Sequence, residues 1–147
     1  MTEIDVAMRV LLVEDNPGDV LLTRIALEQS GRQFTLDVAR DGEEALAYLK
    51  HEGMFAGAAL PDFVILDLNL PRVDGTRVLT FIRETATLET VPVAILSSAP
   101  LDALRTRAAS ADCHIEKPPD LAGFMTVGQS LWACWERASN ADRRGGP

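Results

Sequence analysis

Glu14-Asp15, Asp67, Ser97 and Lys117 lie far apart in the chain, yet the first three sites each follow a short apolar run and Lys117 follows Cys113-His114-Ile115-Glu116. If one surface gathers them, three carboxylates face one hydroxyl and one ammonium. Carboxylates in close quarters repel one another, and burial raises their pKa values unless a cation is present. A hard divalent ion with oxygen ligands relieves that strain. Mg²⁺ takes one or two protein carboxylates and keeps positions for water or a phosphoryl oxygen. Such a site suits phosphoryl transfer, which depends on positioning and charge neutralisation. An aspartate exposed to a phosphodonor beside the metal can itself attack and become an aspartyl phosphate. A lysine ammonium makes a point contact with a phosphoryl oxygen. This chain reserves lysine for positions 50 and 117 and uses arginine for its other 12 basic residues.

The elements that must position these groups follow from two alternating periodicities. Val10–Val13, Phe63–Leu66 and Val93–Leu96 are short, partly β-branched apolar runs, as in strands buried on both faces of a parallel sheet. Phe34–Val38 alternates, which predicts a strand nearer an edge, and Cys113–Glu116 is a weaker fifth candidate. Helical signals fill the gaps. Asn16-Pro17-Gly18-Asp19 offers a capping amide, a proline at the first helical position and an acid in the first turn. Asp41-Gly42 and Asp74-Gly75 open two more helices, a short fourth spans about Asp102 to Ser110, and a last begins near Asp120. Five strands alternating with five helices predict an α/β fold, an open parallel sheet with helices on both faces. Ligands of such sheets bind outside the carboxyl ends of the strands, where the five residues fall.

Length and charge bound the rest. The 147 residues suffice for one domain, expected over 8–137 with loose ends at 1–7 and 138–147. A net charge of −8 disfavours nucleic-acid backbones and anionic membranes as partners. No run of ~18 apolar residues offers a membrane span. Cys113 and Cys134 form no C-x-x-C pair and are expected as small buried apolar residues in a reducing cytoplasm.

The runs Val10-Leu11-Leu12-Val13-Glu14-Asp15-Asn16-Pro17-Gly18-Asp19 and Leu66-Asp67-Leu68-Asn69-Leu70-Pro71-Arg72-Val73-Asp74-Gly75, with Ser97 and Lys117-Pro118, resemble the receiver domain of two-component response regulators. The resemblance is closest to the single-domain regulators that accompany bacterial and cyanobacterial phytochromes, and covers about residues 9 to 137. It implies a flavodoxin-like (βα)5 sheet with strand order 2-1-3-4-5. It further implies that Asp67 accepts a phosphoryl group from the phosphohistidine of a sensor histidine kinase, a bacteriophytochrome among the candidates. Asp15, Asp67 and the backbone carbonyl of Asn69 would hold Mg²⁺, and Glu14 would act largely through a bound water. Lys117 would pair with the phosphoryl oxygens across a cis bond to Pro118, and Ser97 would be the switch hydroxyl. Homodimerisation through the fourth helix, fifth strand and C-terminal helix would follow, as would a cytoplasmic signalling role without enzymatic turnover beyond self-catalysed phosphotransfer and slow autodephosphorylation. Two positions depart from the family pattern: serine stands where threonine is commoner, and His114 where the family has tyrosine or phenylalanine.

Other readings account for less. A haloacid-dehalogenase-type phosphatase places a second acid two residues after its nucleophile, where this chain has Asn69. A flavin site needs a Ser/Thr/Gly-rich loop where Glu14-Asp15-Asn16-Pro17 stands. A degenerate receiver that only binds partners has no need of the acids and Lys117. Ser97 and Ser98 are neighbours that strand alternation sends to opposite faces, and position favours Ser97. Trp132 and Trp135 are either cover for the domain's own sheet or anchors of a subunit contact.

Overall fold

The computed structural model describes residues 8–53, 57 and 59–144. The element order is β1 (Met8–Val13), α1 (Pro17–Glu28), β2 (Phe34–Ala39), α2 (Gly42–Lys50), β3 (Phe63–Leu66), α3 (Gly75–Glu84), β4 (Val93–Ser97), α4 (Leu101–Arg107), β5 (Cys113–Glu116) and α5 (Leu121–Arg144). All pairings are parallel, in the order β2-β1-β3-β4-β5.

Strand composition decides depth. β3 and β4 are buried along their whole length, as is the second half of β1, because both faces are covered. β2 alternates and β5 is only partly buried, as edge strands are. Side-chain alternation then splits the core in two. Leu11, Val13, Val64, Leu66 and Ile95 pack with Tyr48 and Leu49 of α2, Val78 and Ile82 of α3, and Leu104 of α4. Val10, Leu12, Phe63, Ile65 and Leu96 pack on the other face with Leu27 of α1 and Val127, Leu131 and Trp132 of α5.

Helix starts are local chemistry. Asn16, Asp41 and Asp74 are extended N-cap residues whose side chains accept from Asp19 N, Glu44 N and Thr76 N respectively. Proline occupies the first turn of α1, where its missing N–H costs nothing.

Three expectations are corrected by packing. Residues 138–144 continue α5 rather than forming a loose tail, because no glycine or proline stands between Gly128 and Gly145; residues 1–7 and 145–147 lie outside the described residues. Cys113 and Cys134 are not two independent thiols but a disulfide, with Cα atoms 6.1 Å apart. The pairing was invisible in a 21-residue separation because it arises from α5 lying across the start of β5. No cis peptide occurs among the described residues, so Lys117–Pro118 takes the ordinary trans form.

The tryptophans serve their own chain. Trp132 is buried against the rings of Phe34 and Phe63, and its indole N–H donates to Leu27 O at 3.1 Å. Trp135 donates to Asp62 O at 3.2 Å, and the Arg32 guanidinium lies over both indoles. Among the described residues no helix is long and apolar enough to cross a membrane.

α1 and α5 approach so closely at Gly128 that a Cβ there would run into the backbone carbonyl of Ala26. Gly128→Ala on an open helix surface would stabilise by about 1 kcal/mol. Here the clash reverses the sign, and urea unfolding of the variant should show a loss of about 1–3 kcal/mol.

Candidate functional site

The sheet carries its ladder one rung past the strands, and those rungs hold the candidate residues. Glu14 N–H donates to Ala39 O at 2.9 Å, Asp67 N–H to Val13 O at 3.0 Å, and Lys117 N–H to Ser97 O at 2.8 Å. Ser97 is the last residue of β4. Backbones fixed in this way deliver four side chains to one place at the carboxyl edge. The helix cap adds a further restraint, since Asn16 N–H donates to Glu14 Oε2 at 3.1 Å.

Asp67 is the hub. It is 5% exposed, and its two oxygens have different partners. Oδ1 accepts from Ser97 Oγ at 2.7 Å and from Asn69 N–H at 3.0 Å, while Oδ2 accepts from Lys117 Nζ at 2.8 Å. Ser97 is fully buried and Ser98 is exposed, so the two neighbours diverge as alternation requires. Lys117 also reaches Glu14 Oε1 at 2.7 Å and Asp19 Oδ2 at 2.8 Å. All three donors of its ammonium therefore have carboxylate partners.

Asp19 was legible only as a helix-start acid. Its second role depends on α1 beginning after a gap of only three residues from β1, which leaves the first turn within reach of the strand ends. Glu14, Asp15 and Asp67 each present a carboxylate oxygen within 4.8 Å of the others, Asp15 from an exposed position. That all-oxygen, net-negative set fits a hard divalent cation. Asn69 belongs to the same loop: besides its N–H bond to Asp67, its side-chain oxygen lies 3.3 Å from Arg107 of α4, which also pairs with Asp74 at 3.3 Å. His114 stays out of the cluster. It is half-buried, with Nε2 2.6 Å from Ala108 O beyond the end of α4.

Electrostatics follow from burial and neighbours. Desolvation pushes the Glu14 carboxyl up to about 7; the charge of Asp67 adds to this, and the bonds from Lys117 and Asn16 offset only part. Desolvation acts on Lys117 in the opposite sense, but the hydrogen bonds to Asp19, Asp67 and Glu14 outweigh it and hold the ammonium well above its ordinary range.

The response regulator receiver domain family matches residues 10–127. A probable methanogenesis regulatory protein, FilR2 of Methanothrix harundinacea, is 37% identical over 88% of this chain and 86% of its own. The response regulator Rcp1 of Synechocystis sp. is 30% identical over 86% of this chain and 87% of its own. The phosphorylated cyanobacterial phytochrome response regulator RcpA superposes with a TM-score of 0.82 at 34% identity, covering 89% of this chain and 95% of the other. The Mn²⁺-bound form of Rcp1 gives 0.79 at 30% identity, covering 87% and 94%.

The raised Glu14 pKa makes a signed prediction for the metal-free protein. A carboxyl that ionises near 7 when folded and near 4.5 when unfolded adds stability below pH 4.5, and that stability is lost as pH rises through 7. Urea unfolding in chelator should therefore show Glu14→Gln gaining on the wild type between pH 4.5 and 7, by up to about 3 kcal/mol. A pH-independent difference between the two would rule this out.

Proposed function

The chain belongs to the response regulator receiver family, and on that basis we propose that it is a phosphoacceptor in which Asp67 takes a phosphoryl group from the phosphohistidine of a sensor histidine kinase. The observation that carries the reading is the asymmetric holding of Asp67, one oxygen by Ser97 and Asn69 and the other by Lys117, beside two further carboxylates. An Asp67 carboxylate oxygen attacks phosphorus, the P–N bond to the kinase histidine breaks, and the leaving imidazole keeps the electron pair. Lys117 turns its ammonium from carboxylate oxygens to a phosphoryl oxygen. Ser97 shifts its hydroxyl donor in the same direction. Mg²⁺, held by Asp15, Asp67 and the Asn69 carbonyl with Glu14 acting largely through a bound water, would neutralise charge on the transferred group.

The phosphorylated state of RcpA and the Mn²⁺-bound state of Rcp1 support both parts of this reading by analogy. The phytochrome connection of RcpA makes a bacteriophytochrome-type kinase the favoured donor. The product is a signal carried by protein contact or onward phosphorelay from the domain at 8–137, in the cytoplasm, as a homodimer through α4, β5 and α5. The phosphatase alternative loses ground, because Asn69, at the position where a general acid would stand, has its side-chain oxygen beside Arg107.

Incubation with Mg²⁺ and acetyl phosphate should give an acid-stable, base-labile adduct by intact mass. Asp67→Asn should abolish it, and an adduct that persists in that variant overturns the assignment. Because Asp19 holds one donor of the ammonium that the phosphoryl group requires, Asp19→Asn should accelerate adduct formation several-fold at fixed Mg²⁺. Its backbone cap to Asn16 stays intact, so a slower variant would mean that Asp19 positions Lys117 productively instead of competing for it.

A further inference from the structure

The disulfide lies outside the phosphoacceptor cluster, and nothing in the proposed phosphotransfer uses it. Its two ends differ in access. Cys134 is fully buried on the inner side of α5. Cys113, at the start of β5, is half-buried and, in the monomer, opens onto a groove of about 400 Å³ between α4, β5 and α5, the face that the proposed homodimer would cover. Arg105 of α4 and Arg137 of α5 line that groove, and the Arg137 guanidinium donates to Cys113 Sγ at 3.3 Å. The acid on the same wall, Asp112, is already engaged by Arg83 at 2.9 Å and by Val93 N–H at 2.8 Å.

α5 also has attachments besides the bond. Phe124, Val127, Leu131 and Trp132 bury that helix on the sheet. Arg32–Glu136 and the Trp132 bond to Leu27 O fasten it independently. A bond that can open without releasing its helix can cycle.

We propose that Cys113 and Cys134 form a reversible redox couple, with Cys113 the entry thiol for a small anionic disulfide of the glutathione type and Cys134 the resolving thiol. In the reduced pair, the guanidinium of Arg137 favours the Cys113 thiolate, and Arg105 and Arg137 attract the carboxylates of the incoming molecule. The thiolate attacks one sulfur of the oxidant. The oxidant's S–S bond breaks, a mixed disulfide forms on Cys113, and the first thiolate leaves and is protonated. Cys134 then gives up its proton and attacks Cys113 Sγ, expelling the second thiolate. Two protein thiols are oxidised, one external disulfide is reduced to two thiols, and excess thiol runs the sequence backwards. In a reducing compartment, disulfides of this kind mark a switched state. The switch sits on the strand that delivers Lys117 four residues later.

The test uses the full chain equilibrated across ratios of reduced to oxidised glutathione, quenched with an alkylating reagent and read by intact mass. Wild type should pass from two alkylated thiols to none while retaining no glutathione. Cys134→Ser, or Cys134→Ala if serine in that apolar position prevents folding, should trap one glutathionyl group. Cys113→Ser should stay unmodified, and Arg137→Gln in the Cys134→Ser background should slow trapping several-fold. The proposal is overturned by any of three results: equal trapping in both cysteine variants, wild-type thiols that remain free at the oxidising limit, or a disulfide that resists the reducing limit. The readout is independent of Asp67, so failure of the phosphoacceptor reading and failure of this one are separable.

Discussion

The site depends on where the parallel ladder stops. Three strands are paired so that the residue just past each one still donates its N–H to a neighbouring carbonyl, and those residues are Glu14, Asp67 and Lys117. Shifting any strand by one residue would send its charged side chain to the opposite face and put charge in an apolar neighbour's place. The apolar core and the polar cluster are therefore specified by one register. The same Leu11/Leu12 and Ile65/Leu66 alternation that fills two core layers fixes which carboxylates meet.

That arrangement sets folding against chemistry. Glu14 and Asp67 are nearly inaccessible, and two buried carboxylates side by side would be costly if unpaired. A single ammonium from β5's end answers both of them and Asp19 as well. The compensation is incomplete, as the raised Glu14 pKa records. A cluster left short of positive charge in this way attracts a divalent cation.

Much of this was written in local pattern. Continuous apolar runs at Val10–Val13, Phe63–Leu66 and Val93–Leu96 marked the central strands, and alternation at Phe34–Val38 marked an edge. Asn16-Pro17 marked the start of α1. From the strands, the cluster at their ends followed by topology alone. What was not legible came from contacts between elements distant in sequence. Asp19 joined Lys117 because of where a helix begins relative to a strand. Cys113 met Cys134 because α5 crosses β5 at that point. Trp135 was indistinguishable from an interface residue until Asp62 and Arg32 were seen to engage it. Residues 138–144 looked like a polar tail, and composition alone cannot tell a solvated helix end from a loose one.

The protonation of Lys117 has a chemical corollary. An aspartyl phosphate is a mixed anhydride, and a neutral amine beside it would attack the acyl carbon, leaving an isopeptide crosslink and ending the residue's use. Lys117 lies 2.8 Å from Asp67, within range of that reaction. The carboxylates that crowd its ammonium keep the nitrogen lone pair occupied by a proton, so the group that must be nearest to an activated acyl centre is held non-nucleophilic. The rest of the surface follows the same logic, since 12 of 14 basic residues carry guanidinium groups inert to acyl transfer. An aspartyl phosphate at Asp67, as proposed, would thus stand beside an ammonium that does not attack it.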